Sequence, residues 1–295
     1  MSIYTHAESN VRKTWFLVSL FLIVIMGLGW YASYYFNDPA ILIFAVLFSL
    51  IMNVFSFWYS DKIVLALTKA RPIKREENVE LYRLVENLSI TAGLPLPRIY
   101  ITPEAQPNAF ATGRDKDHAV LAVTQGLLDK LDKTELEGVI SHELSHIGNK
   151  DMLLMTVVVV LVGFVSILSD FFLRSMWLGS MRKRSSRDSA GNVLALAGII
   201  LMVLSPFIAM LIQAAVSRKR EFLADASGAL LTRYPEGLAR ALEKISKDQT
   251  PLKTVSTATA HLYISNPFRG KSFSALFLTH PPTEQRIKAL REMSV

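Results

Sequence analysis

With 295 residues, 51% of them hydrophobic and 19% charged, the chain is too apolar for an ordinary soluble domain and too charged to lie wholly in a membrane. The absence of cysteine rules out a disulfide framework, fits a reducing compartment and confines any metal site to His, Asp and Glu ligands. The net charge of +7 does not point to nucleic acid, because the basic residues gather beside the apolar runs, at 71–75, 182–187 and 218–220, where anionic headgroups of a bilayer would lie.

Two charge-free runs open the chain, Trp15 to Phe36 and Ala40 to Tyr59, separated only by Asn37-Asp38-Pro39. The first is too long for the apolar region of a cleavable signal, roughly 7 to 15 residues. Residues 1–60 therefore read as an uncleaved transmembrane hairpin. Its turn carries no Lys or Arg, whereas Arg12, Lys13, Lys62, Lys69, Arg71, Lys74 and Arg75 crowd the other side. The positive-inside rule places both ends, and the polar segment that follows, in the cytoplasm.

Residues 61–151 form the first part of a polar domain. Val79, Leu81, Leu84, Val85 and Leu88 recur at helical spacing between Glu77 and Ala92, and Gly93, Pro95 and Pro97 end that helix. Arg98 to Thr102, Asn108 to Gly113 and His118 to Thr124 carry strand signals and predict a small sheet. Gly126 to Leu131 reads as a short helix. Asp132 or Thr134, each with a Glu three residues on, then caps a longer one. On it Leu136, Ile140, Leu144 and Ile147 make an apolar stripe, while His142 and His146 share another face with Glu143 beside them.

His142-Glu143-Leu144-Ser145-His146 puts two imidazoles on one helical face, four positions apart, where they can hold one zinc ion while Glu143 takes a proton from its water. A hydrolytic zinc ion takes three protein ligands and leaves a fourth position open. The third donor has several candidates, His6, His118, His261 and His280 among them. Glu221 stands out because Asp225, four residues on, shares its helix face and is placed to orient a ligand imidazole.

Two more apolar runs, Met152 to Leu173 and Val193 to Val216, make residues 152–217 a second transmembrane pair, each long enough to cross. Arg174, Arg182, Lys183, Arg184 and Arg187 then fall outside the membrane, against the positive-inside trend, which a pair that does not fully span would avoid. Crossing is the expectation kept here. Residues 218–295 form the second part of the polar domain, with helices at Arg220 to Leu231, Pro235 to Lys247 and Thr283 to Met293. With so few residues on each side of the interruption, a joint core is expected.

Four stretches together resemble the HtpX-type membrane zinc metalloproteases, and more distantly the prenyl-protein endopeptidases. They are Pro107-Asn108-Ala109-Phe110-Ala111-Thr112-Gly113-Arg114, Ser141 to Ile147, Arg220 to Ala226, and Thr279-His280-Pro281-Pro282-Thr283-Glu284-Gln285-Arg286-Ile287. With the four apolar runs in order, the resemblance covers nearly the whole chain. It implies a mainly α fold with a small β-sheet: four transmembrane helices plus a cytosolic, zincin-like, glutamate-ligated metalloprotease domain. It further implies one Zn2+ per chain held by His142, His146 and Glu221, with Asp225 behind them, Glu143 catalytic, and His280 and Arg286 lining the site. Asn108, Ala109, Phe110, Ala111, Thr112 and Gly113 would be an edge strand along which substrate lies extended.

The implied activity is cleavage of misfolded or damaged membrane proteins at the cytoplasmic face of a bacterial inner membrane, a stress-response role shared with other membrane quality-control proteases. A dedicated protease for lipidated peptides would need a chamber built from more spans. A zinc-containing scaffold would close its fourth position with another Cys or His and would have no use for Glu143. No ionisable residue lies deep inside any run, which argues against a transporter.

Overall fold

The structure is a computed structural model of the chain and describes residues 3–165, 218–250, 264 and 281–293. Two long helices come first, α1 (Ile3–Phe36) and α2 (Pro39–Leu67). Asp38 caps α2 by accepting from Ala40 N at 2.9 Å, and Pro39, which needs no donor partner, fills the first helical position. Both helices are long and apolar enough to cross a membrane. Their outward faces carry Phe16, Ile23, Ile43, Phe44, Leu47 and Ile51 in exposed positions, as lipid contact requires. At 34 residues α1 is about 50 Å long, well beyond a hydrocarbon core of about 30 Å, so its first turns stand clear of the apolar layer.

The polar domain follows as β1 (Arg71–Pro72), α3 (Val79–Ala92), β2 (Arg98–Thr102), β3 (Ala109–Thr112), β4 (Val120–Thr124), α4 (Gln125–Lys130) and α5 (Lys133–Gly148). After it come α6, described over Asp151–Val165, then α7 (Arg218–Thr232), α8 (Pro235–Lys247) and α9 (Thr283–Arg291). Residues 116–118 form a 3-10 turn, so His118 lies outside the strand that the sequence suggested. Asp115 Oδ1 accepts from the N–H groups of Asp117 and His118, at 3.0 and 2.9 Å, and that local bonding wins over strand propensity.

The sheet has the order β1-β2-β4-β3. β2 and β4 are parallel in its middle, and the short outer strands run antiparallel to them. Alternation along each strand sorts the side chains to two cores. Ile99, Ile101, Ala109, Ala111, Leu121 and Val123 face a core with α3, α5, α8 and α9, through Leu84, Val85, Leu144, Leu242 and Leu290. Phe110 and Ala122 face the other way, into an apolar cluster with Leu17 and Phe21 of α1 and Leu154, Val157 and Leu161 of α6. The sheet thus joins the polar domain to the membrane helices. The first core draws on residues from both sides of the 152–217 interruption.

Of the expected second transmembrane pair, the structure describes only the first part of the earlier run, α6, bent by 85° from α5. The rest of that run, and all of Val193 to Val216, lie outside the described residues, as do His261 and His280.

Candidate metal centre

The local sequence fixes α5 first. Asp132 Oδ1 accepts from Glu135 N and Glu135 Oε2 accepts from Asp132 N, both at 2.9 Å, a reciprocal cap that sets the first turn. Lys244 of α8 donates to the same Glu135 carboxylate at 2.7 Å. α5 then runs through the middle of the domain with every residue from Gly138 to Ile147 buried. The face that carries the two histidines, apart from the apolar stripe, is buried as well. α7 closes over that face, which leaves His142, Glu143 and His146 each at most 5% exposed.

Close approach of α7 depends on Gly228. A methyl group there would stand 2.9 Å from His142 N and 3.1 Å from Ser141 C. On the opposite flank Gly138 admits α8, since a methyl group would meet Leu238 N at 2.6 Å. Two glycines therefore allow three helices to meet at the ligand turn.

His142 Nε2 and His146 Nε2 lie 3.2 Å apart. Glu221, on the first turn of α7, places Oε2 3.8 Å from the first and Oε1 3.6 Å from the second. His142 Nδ1 lies 2.9 Å from Asp225 Oδ1, off the line of an ideal hydrogen bond, and His146 Nδ1 lies 3.0 Å from Asp151 Oδ2. A carboxylate beside each Nδ1 draws the ring proton to that side and leaves both Nε2 lone pairs facing one another. Such a pair repels unless a cation or proton lies between. Two ligands about 2.0–2.1 Å from one tetrahedral ion sit about 3.3 Å apart, close to the spacing observed, so the donor set fits a divalent cation.

Electrostatics agree with this. Burial works to lower the His146 pKa, but Asp151, Glu221 and Glu143 outweigh it and raise it to about 9, so the site carries surplus negative charge that attracts a proton or a cation. Burial raises the Glu143 carboxyl above its usual range, against the pull of the two imidazoles and a hydrogen bond from the Ala111 N–H. Asp225 is held down to about 2: burial pushes it up, and the Arg286 guanidinium more than reverses that.

Arg286 of α9 is itself buried, donating from Nε and Nη2 to Asp225 at 2.8 and 2.7 Å, with Nη1 3.4 Å from Glu221 Oε2. The resemblance implied that it lines the site; in the structure it is engaged with these two carboxylates. His118 stands apart on its turn, partnered with Asp115 and Arg114.

The expected substrate strand, 109–112 here, lies at the edge of the sheet, with β4 its neighbour and no second one among the described residues. Thr124 N donates to Asn108 O at 2.9 Å, so 108 and 124 form a hydrogen-bonded pair, and alternation leaves the main-chain groups of Ala109 and Ala111 turned from β4. The Ala111 N–H is the one that reaches Glu143. The outer edge of the strand thus faces α5 at Glu143, and all four of its residues are buried. Asn108 is held by donation from Ile264 N to its Oδ1 at 2.9 Å.

Three residues around His146 were not legible in the sequence. Asp151 opens α6 and supports the ligand ring; Asn10 of α1 and Arg220 of α7 surround Asp151 in turn. Their separation along the chain hides them, and only the spacing of Asp151 five residues after His146 gave a faint local signal.

The profile of peptidase family M48 matches residues 75–294. A protein named Protease HtpX homolog from Caldanaerobacter subterraneus subsp. tengcongensis is 44% identical over 297 aligned residues, covering 100% of this chain and 99% of the relative. Its namesake in Pyrococcus furiosus is 47% identical over 95% of this chain and 96% of the relative. Among solved structures, a crystal structure of S. mikatae Ste24p superposes with a TM-score of 0.50 at 18% identity. That match covers 93% of this chain and 62% of that one, a likeness of fold alone.

Proposed function

The chain belongs to peptidase family M48 and is a membrane metalloprotease, and from this premise we propose that it is a zinc endopeptidase that cuts misfolded or damaged membrane proteins at the cytoplasmic face of a bacterial inner membrane. The observation that carries this reading is the convergence of His142, His146 and Glu221, with ligand atoms within 4.8 Å of one another, beside a buried Glu143 and a sheet edge.

His142 and His146 would hold the ion through Nε2 and Glu221 through its carboxylate. A zinc ion held there would supply a bound water of lowered pKa, toward roughly 7, and a Lewis acid for the scissile carbonyl. Glu143 supplies the base. Its carboxyl, raised by burial, accepts the water proton and hands it to the departing amine. Asp225 and Asp151 keep the ligand rings turned the right way, and Arg286 balances the charge of Asp225 and Glu221. His280 would add a donor for the developing oxyanion.

An extended substrate pairing with the main-chain groups of Ala109 and the carbonyl of Ala111 would be read mainly through its main chain, which favours locally unfolded segments over a fixed sequence. The basic residues flanking α1 and α2 support a cytoplasmic active site. The test is proteolysis of casein by purified protein in detergent. Glu143→Gln should keep its zinc and lose cleavage, while His142→Ala loses both; cleavage by Glu143→Gln at the wild-type rate would refute the assignment.

A further inference from the structure

Asn10 lies near the start of α1, ahead of Arg12 and Lys13, in the part of the helix that stands clear of the apolar run. It is nonetheless only 3% exposed. Its Nδ2 donates to Asp151 Oδ1 at 2.5 Å and to Asn149 O at 3.2 Å, and its Oδ1 accepts from Arg220 Nη1 at 3.4 Å. One amide side chain therefore meets both residues of the α5–α6 elbow that bracket Lys150, and the first turn of α7. Each contact is one step from a metal ligand: Asp151 orients His146, and Arg220 precedes Glu221.

The elbow needs such a clasp. Lys150 there adopts φ of +56°, a left-handed conformation unfavourable for a side-chain-bearing residue, and the chain turns by 85°. Asp151 is buried with two further partners, Arg220 Nε at 3.6 Å and His146 Nδ1. The turns of α1 that follow bind the same face to the membrane helix: Thr14 donates to Asn10 O at 2.9 Å, and Leu17, Phe21 and Ile25 pack with Leu154, Val158 and Val162 of α6. Seating α1 against α6 thus brings Asn10 to the elbow.

We propose that Asn10 is a positioning residue for the metal centre, through which docking of the first membrane helix fixes the orientations of His146 and Glu221, so that the chain binds its cation tightly only once α1 is seated. The inference rests on the metal-centre reading given above. Its consequence is conditional competence, in which a protease whose hairpin has not assembled against α6 lacks a well-ordered ligand set. An enzyme that attacks unfolded chains is thereby restrained away from its membrane setting.

The test uses full-length protein in detergent and compares wild type, Asn10→Ala, Asp151→Ala and the double variant. Zinc affinity is read by competition with a chromogenic chelator, and thermal unfolding is followed with and without zinc. Loss of a partner that orients a ligand typically weakens metal binding by about 10- to 100-fold, and that range is expected for Asn10→Ala. The zinc-induced rise in melting temperature should shrink with it, and the double variant should lose less affinity than the sum of the two single losses, since the two share the route through Asp151 to His146.

A merely structural Asn10 would lower the melting temperatures of zinc-free and zinc-loaded protein equally and leave zinc affinity within twofold of wild type; that result overturns the proposal. Additive losses in the double variant overturn it too. Should the alanine protein fail to accumulate, Asn10→Ser carries the same comparison, because a hydroxyl cannot span Asp151, Asn149 and Arg220 together. A wild-type chain that takes up no divalent cation would instead refute the metal-centre reading on which the inference stands.

Discussion

Replacing Gly228 by alanine adds a methyl group 2.9 Å from His142 N and 3.1 Å from both Ser141 C and Ser141 Oγ, two of the three being main-chain atoms of α5 that cannot swing aside. Ordinary contact needs about 3.5–4.0 Å, so α7 must retreat by roughly 0.5–1 Å. Glu221 and Asp225 lie seven and three residues back on the same helix and would move with it. Overpacking of this kind costs about 1–3 kcal/mol. If binding the ion requires the close approach, that cost comes out of its affinity, which should fall between about 5-fold and 150-fold at 1.4 kcal/mol per factor of ten. Chelator competition measures the loss. Gly148→Ala is the control, since a methyl group there meets only Leu94 Cδ1 at 4.0 Å and should leave affinity unchanged. Wild-type affinity in the Gly228→Ala protein would refute the argument that α7's contact with α5 sets the ligand spacing.

Arg286→Met leaves the carboxylates of Asp225 and Glu221 buried without their cation, and should destabilise zinc-free protein by about 3–5 kcal/mol, but zinc-loaded protein by less, as calorimetry with and without chelator would show. The same pair sets a pH dependence: Asp225 is depressed from 3.8 to about 2, so its stabilisation is complete above about pH 4 and lost as pH falls through 2. Denaturant titrations of zinc-free protein should show that acid limb, and Asp225→Asn should flatten it. The chain has no cysteine, so Lys116→Cys, on the exposed turn before β4, gives a single label site. A membrane-impermeant maleimide should reach it only after the inner membrane is opened, and labelling of intact spheroplasts would reverse the proposed orientation.

What could be read from letters alone was what is local. Two imidazoles four apart lie on one helix face wherever that helix goes, and the Asp132–Glu135 cap announces where it starts. Glu221 was recognisable because Asp225 follows at helical spacing, and the hairpin because a charge-free run of 22 residues exceeds the apolar region of a cleavable signal. The polar clasp around His146 was not, for Asn10, Asp151 and Arg220 are brought together only by tertiary packing. His118 was assigned to a strand because β propensity continues through it; a side-chain turn on Asp115 intervened. The enclosure of the face that carries His142 and His146 was equally hidden, since it depends on Gly228, whose role appears only when α7 lies against α5.

The account stands on one cation shared by His142, His146 and Glu221. X-ray absorption of purified, zinc-loaded protein tests this most directly. It should show one zinc per chain with nitrogen and oxygen neighbours at about 2.0–2.1 Å and multiple scattering from two imidazoles, with the carboxylate contribution and tight binding lost in Glu221→Ala. An unchanged zinc environment and full occupancy in Glu221→Ala would contradict it.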